Sequence, residues 1–193
     1  MLFRSFGNRL RFELNTSGDQ GEFFVGTGRT LTFNSTISGS SATKGITKTG
    51  AGTLVLTSAN TFTGTTIVNA GTLLAGGNDR LATGGLTVDG ATAVYNIQGF
   101  TESLGTVTLR NGGSLIGSGT LAGTALAFES GAASLNLAGA SVAMAKTTPG
   151  TVTLTGNNTY GGGTTLTAGT LRAGSNTAFG TGSIAINGGK ISS

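Results

Sequence analysis

The chain repeats itself. Residues 46–90 align with residues 144–188 at a constant offset of 98 without a gap, and 20 of the 45 positions are identical. The clearest stretch is GTLVLTSANTFTGTTIVNAGTLLAG (Gly52–Gly76) against GTVTLTGNNTYGGGTTLTAGTLRAG (Gly150–Gly174). A long ungapped repeat limits the fold severely. Each copy is one section of a stack that buries its apolar side against its neighbours, which favours one continuous body over independent globules.

Within the copies the apolar residues alternate with Thr, Ser and Asn. Examples are Thr53-Leu54-Val55-Leu56-Thr57, Leu86-Thr87-Val88, Thr106-Val107-Thr108-Leu109 and Thr151-Val152-Thr153-Leu154. A period of two places apolar side chains on one face of a strand, and β-branched residues suit a pleated surface. Turn signals follow at short intervals, as in Asn111-Gly112-Gly113, Gly161-Gly162-Gly163 and Asn187-Gly188-Gly189. Short strands in register across an ungapped period predict an all-β solenoid rather than a sandwich or barrel. At about 20–25 residues per coil, one period covers four or five coils. Leu54, Leu56, Val68, Leu73, Leu86 and Val88 are expected to point inward. So are their partners Val152, Leu154, Leu166, Leu171, Ile184 and Ile186. Phe62 and Tyr160 occupy equivalent places after Asn-Thr and are expected to seal a corner. Gly71 and Gly169, each between Ala and Thr, are expected at turns that exclude a Cβ.

The first residues read differently. Phe3, Phe6, Leu10 and Leu14 fit a helix face, yet Leu10-Arg11-Phe12-Glu13-Leu14 alternates like a strand. The chain therefore divides into an N-terminal segment, residues 1–24, read as a cap or a truncated coil, and a solenoid segment, residues 25–193. The start is not a convincing export signal, because arginines interrupt its apolar positions; if the protein is exported, a truncated or fragmentary reading frame is the expected explanation.

Composition removes several function classes. The absence of cysteine rules out disulfides and thiolate chemistry, and the absence of histidine removes Ser-His-Asp catalysis and most zinc sites. The formal net charge of +4 is spread thinly, with Arg4, Arg9 and Arg11 its only cluster, so a nucleic-acid partner is not expected. No apolar run reaches the ~18–20 residues of a membrane helix. Charged residues are only 9% of the chain, and the regular alternation is foreign to disordered sequences.

The repeated residues resemble the passenger-associated repeat of bacterial type V autotransporters, whose pattern is roughly K-T-G-x-G-T-L-x-L-[ST]-G-x-N-T-Y-x-G-x-T-x-[VI]-x-x-G-T-L. The first copy runs from Lys48-Thr49-Gly50-Ala51-Gly52-Thr53-Leu54 through Asn60-Thr61-Phe62 to Ala70-Gly71-Thr72-Leu73. The second runs from Lys146 through Asn158-Thr159-Tyr160 to Ala168-Gly169-Thr170-Leu171. It departs from the pattern at Thr148-Pro149, where a small shift of the corner is expected. The resemblance covers roughly residues 25–193. It implies a right-handed parallel β-helix, secreted and displayed extracellularly at the bacterial surface through a C-terminal outer-membrane barrel that this chain does not contain. It specifies architecture and export route, not activity, since adhesins, proteases and esterases share the scaffold.

The search for chemistry is short. The carboxylates are Glu13, Asp19, Glu22, Asp79, Asp89, Glu102 and Glu129. A glycoside hydrolase needs two of them ~5–9.5 Å apart. Asp79 and Asp89 are half a coil apart and read as solvated turn residues, and Glu102 and Glu129 have no evident partner. Gly76–Gly85 is weakly similar to a calcium-binding nonapeptide, but its repeat equivalent has no Asp, so no metal is expected. Asn15, Asn34 and Asn157 fit N-x-[ST] by chance in a Thr-rich chain, and Gly117-Ser118-Gly119 reads as a turn. The sequence thus assigns no catalytic, cofactor-binding or metal-binding residue and no cofactor. The expected role is a non-enzymatic stalk, with the rest of the passenger and the barrel as partners and surface glycans or other cells as contacts. The alternatives are a glycan-binding adhesin module and a carbohydrate-active β-helix fragment.

Overall fold

The computed structural model describes residues 4–6, 9–14, 20–39 and 44–193. All regular structure among them is strand. Two parallel nine-stranded sheets run the length of the molecule. The first face stacks Gly21–Phe24, Ile46–Thr49, Thr66–Val68, Leu86–Asp89, Thr106–Arg110, Ala125–Phe128, Met144–Lys146, Thr164–Leu166 and Ile184–Ile186. The second stacks Thr30–Phe33, Thr53–Leu56, Gly71–Ala75, Ala93–Asn96, Gly113–Ile116, Gly131–Ala133, Thr151–Leu154, Thr170–Ala173 and Lys190–Ser192. The chain visits each face once per coil, so the fold is a β-solenoid. At the usual strand spacing of ~4.8 Å the stack is about 40 Å tall.

Register explains the repeat. Ile46, Thr66, Leu86, Val107, Leu126 and Met144 lie one above another along the first face. The steps between them are 20, 20, 21, 19 and 18 residues, so the 98-residue period is five coils. The coils are slightly shorter than the 20–25 residues expected from sequence. Tight corners, many of them at glycine, let the chain turn in fewer residues.

The interior is a set of aliphatic columns. On the second face Leu54, Leu73, Tyr95, Leu115, Ala133 and Leu154 are successive partners, and all are buried. Each buried aliphatic side chain contributes roughly 1.5–3 kcal/mol. Ten of the twelve side chains expected inward are buried. Ile184 and Ile186 are in the predicted register but are 43% and 58% exposed, because theirs is the last strand of its sheet and no coil covers it. At the other end Phe23 and Phe33 close the first coil edge to face, ring centroids 5.5 Å apart.

Near the start, Arg4–Phe6 pairs antiparallel with Arg9–Leu14, and the latter runs parallel to Ile37–Gly39. Of the two sequence readings of Leu10–Leu14, the structure takes the strand. Asn15 and Asp19 lie outside the described residues.

The third side of the solenoid is irregular. Three consecutive coils supply short strands there, Thr101–Ser103, Thr120–Ala122 and Asn136–Ala138. The coils flanking them use loops, and side chains take over where the ladder breaks.

Candidate functional site

The Asn-Thr pair of each repeat copy bridges those breaks. Asn60 accepts the Ile37 amide on Oδ1 at 2.8 Å and donates from Nδ2 to the Arg80 carbonyl at 2.5 Å. The Thr61 amide donates back to the Ile37 carbonyl at 2.9 Å. Ninety-eight residues on, Asn158 accepts from the Leu137 amide at 2.8 Å and donates to the Ala178 carbonyl at 2.6 Å. The Thr159 amide donates to the Leu137 carbonyl at 2.8 Å. A carboxamide carries both a donor and an acceptor, so it replaces a strand's peptide group between three successive coils. Both asparagines are buried. Nothing else of similar length offers this pair of functions, which is why Asn stands here.

The repeat lysines also point inward. Lys48 is fully buried, and its ammonium donates to the carbonyls of Thr49 at 2.9 Å, Gly50 at 2.7 Å and Ala70 at 3.0 Å. Lys146 is equally buried and donates to the carbonyls of Thr148 and Ala168, the latter at 3.2 Å. Burial pushes both lysine pKa values below the ordinary value, and for Lys146 the Glu129 carboxylate opposes that. Three donors on one nitrogen tie together the corners of two successive coils. Gly71 and Gly169 make room. Both have positive φ, 65° and 76°. A methyl on Gly71 would lie 2.4 Å from the Gly52 carbonyl oxygen; on Gly169 it would lie 2.4 Å from the Gly150 carbonyl oxygen and 2.6 Å from the Lys146 Nζ.

The corner aromatics fill the coil beside the asparagines. Phe62 and Tyr160 are both fully buried. The Tyr160 hydroxyl finds Thr164 Oγ1 at 2.8 Å, and burial pushes its pKa up to about 12.

The described carboxylates differ in environment. Asp89 accepts from Arg110 Nε at 2.8 Å and from Asn111 Nδ2 at 2.6 Å, an outward cluster that holds its pKa below the usual value, chiefly through Asn111. Glu129 is half-buried on a corner. Asp79 is exposed with φ of 49°, and its Oδ1 accepts the Ser103 amide of the next coil at 3.0 Å. It borders a groove of about 500 Å³ between residues 59–62 and 79–83.

Glu102 is the departure from the sequence reading. It was given no partner, and it has two. Its carboxyl lies inside the coil and accepts the amides of Arg80 at 2.9 Å and Leu81 at 3.2 Å. In register it stands over Leu121, which stands over Leu137. Burial raises its pKa to about 7 against the pull of those amides, and the charge of Asp79 adds to the rise. Tyr95, also fully buried, lies close enough for each group to act on the other's titration, yet its hydroxyl has no partner with hydrogen-bond geometry. Asp79 and Glu102 are therefore near neighbours across one coil boundary. Only Asp79 lines the groove, so the pair does not present two carboxylates to one cleft.

These features define a β-solenoid whose recurrent polar residues are used between coils. The passenger-associated-transport-repeat model matches residues 46–75 and 144–173, so the chain carries two copies of that repeat. The chain is also similar to the adhesin BmaC autotransporter of Brucella suis biovar 1 (strain 1330), 36% identical over 152 residues. That match takes in 74% of this chain and 4% of the relative, so the chain corresponds to a small part of that protein's length. No solved structure matches. Both family matches begin at the first-face strand that carries the buried lysine and end in the second-face strand one coil later.

Proposed function

We propose that this chain is a length of stalk from the passenger of a surface-displayed bacterial autotransporter, holding an adhesive region away from the cell. The observation that carries this reading is where the repeat residues go. Lys48, Asn60, Phe62 and Gly71, with Lys146, Asn158, Tyr160 and Gly169, all face other coils. A motif devoted to stacking serves length and stiffness. In this reading the partners are the remaining passenger and an outer-membrane barrel elsewhere in the protein, the location is the cell surface, and the role is non-enzymatic. Residues 1–24 are a cap or a truncated coil in this reading.

The test is to remove one period, residues 46–143, from the displayed full-length protein. Five coils account for about 24 Å of reach at ~4.8 Å each. Adhesion should persist at a shortened distance from the cell, as measured by force spectroscopy or by surface fluorescence height. Loss of adhesion with display intact would shift the role to ligand binding by these coils.

A glycan-binding module is the second reading, favoured by the hydroxyl-bearing outward positions Thr47, Thr87, Thr108 and Thr165 along the first face and by the relative's name as an adhesin. Saturable binding of the isolated chain to a glycan array would support it over the stalk.

A further inference from the structure

Beyond the buried lysines, asparagines and threonines of the repeat, one coil places two further polar groups in the interior. Tyr95 occupies a position that is Leu73 one coil earlier and Leu115 one coil later. Glu102, in the same coil, occupies a position that is Leu121 and then Leu137. Two polar groups thus replace two leucines in a single coil, both fully buried. Glu102 meets the loop of the preceding coil, residues 76–85, through the amides of Arg80 and Leu81.

Leucine at position 102 would fill the column but leave those two amides without an acceptor, each at a cost comparable to a lost hydrogen bond. Asparagine solves the same problem at positions 60 and 158 with a neutral group. Glutamate brings a charge, and no cation answers it among the described residues. The groups facing it are Asp79 and Arg80 on the loop, Tyr95 on the second-face strand and Leu121 on the strand beyond. Arg80 donates its backbone amide, and no ion pair joins Glu102 among the described residues. Asp79 is of like charge.

We propose that Glu102, with Tyr95 beside it, is a proton-controlled fastening for the loop formed by residues 76–85. Protonated, the carboxyl fits the apolar interior, with the Tyr95 hydroxyl as a ready acceptor for its proton. Ionised, it regains solvation only when the loop lifts and admits water. The coil boundary between residues 76–85 and 99–105 is then tight in mildly acidic surroundings and looser at and above neutrality.

The sign follows from linkage. The folded chain holds this proton up to about pH 7, whereas an unfolded glutamate releases it near 4.5. Between these values the folded state binds more protons, so stability declines as pH rises through that window and is level above it. The chain has no histidine, so no other side chain ordinarily titrates there.

The test compares the unaltered chain with Glu102→Gln by denaturant unfolding from pH 4.5 to 8.5, with hydrogen exchange at the Arg80 and Leu81 amides as the local readout. The unaltered chain should lose on the order of 10²-fold in its folding constant across the window. Its two amides should lose protection relative to the variant, whose profile should be nearly flat. Superimposable profiles would overturn the proposal. Should Glu102→Gln fail to fold, carboxyl-carbon NMR of the unaltered chain decides. One glutamate titrating near pH 7 is expected, and titration of every glutamate below about pH 5.5 would sink the idea.

Discussion

The two repeat copies are one design executed with different corners, and the comparison separates what the stack demands from what it tolerates. Copy one turns after its lysine on Gly50, which has φ of 73°. In copy two that position is Thr148, followed by Pro149, and the positive φ passes to Gly150 at 122°. The expected small shift of the corner is this exchange. The lysine tolerates it: Lys48 reaches the Gly50 carbonyl and Lys146 reaches the Thr148 carbonyl, each two residues on, and each crosses to the next coil at Ala70 or Ala168. Backbone carbonyls are indifferent to side chain, so a donor aimed at them survives substitution around it. The aromatic differs in the opposite way. Tyr160 adds a hydroxyl to the volume of Phe62, and that hydroxyl is accommodated by a specific neighbour, Thr164.

The sharpest way to break the parallel is at the glycines. Gly71→Ala and Gly169→Ala should each cost about 3–4 kcal/mol, from positive φ combined with backbone collision. Hydrogen exchange in the coil concerned should report the loss, since repeat arrays unfold locally. If only Gly169→Ala is severe, the clash with Lys146 rather than the carbonyls governs the site. Lys48→Met and Lys146→Met come next, at about 3 and about 2.5 kcal/mol, because three or two carbonyls lose a charged donor. The larger effect is expected in copy one, and equal effects would show that the number of carbonyls is immaterial. Asn60→Ala and Asn158→Ala should cost about 2 kcal/mol each by leaving the amides of Ile37 and Leu137 unpaired; a chemical-denaturation series measures it. The smallest effect is at the aromatics. Tyr160→Phe should cost about 1 kcal/mol, and Phe62→Tyr should cost less, because Thr66 stands where Thr164 does.

How much of this was readable beforehand follows from the same residues. The alternation that put Leu54, Leu73 and Leu86 inside is a property of a single strand, so it is legible without neighbours. The period was legible as a length; its division into five coils was not, because coil lengths of 18–21 residues are set by corner geometry. Asn60 and Lys48 were visible as recurring letters, but their role depends on which carbonyls and amides the next coil brings alongside. Glu102 was missed for a related reason. One signal existed: in Thr101-Glu102-Ser103-Leu104 the glutamate takes the inward parity of a strand, the place an aliphatic residue should hold. Without the register to Leu121, nothing marked it as buried.

The stacking also decides how the molecule answers a pull. Load applied along the axis falls on one coil boundary at a time, so the rod opens like a zipper instead of shearing as a block. Each 98-residue period pulled free from its stack yields about 330 Å of extended chain, at ~3.4 Å per residue. Folded, the same period is only about 24 Å tall. A short stiff rod therefore carries a long reserve of slack, paid out in coil-sized steps. Two bodies joined through such a rod would stay joined over distances many times the rod's own height.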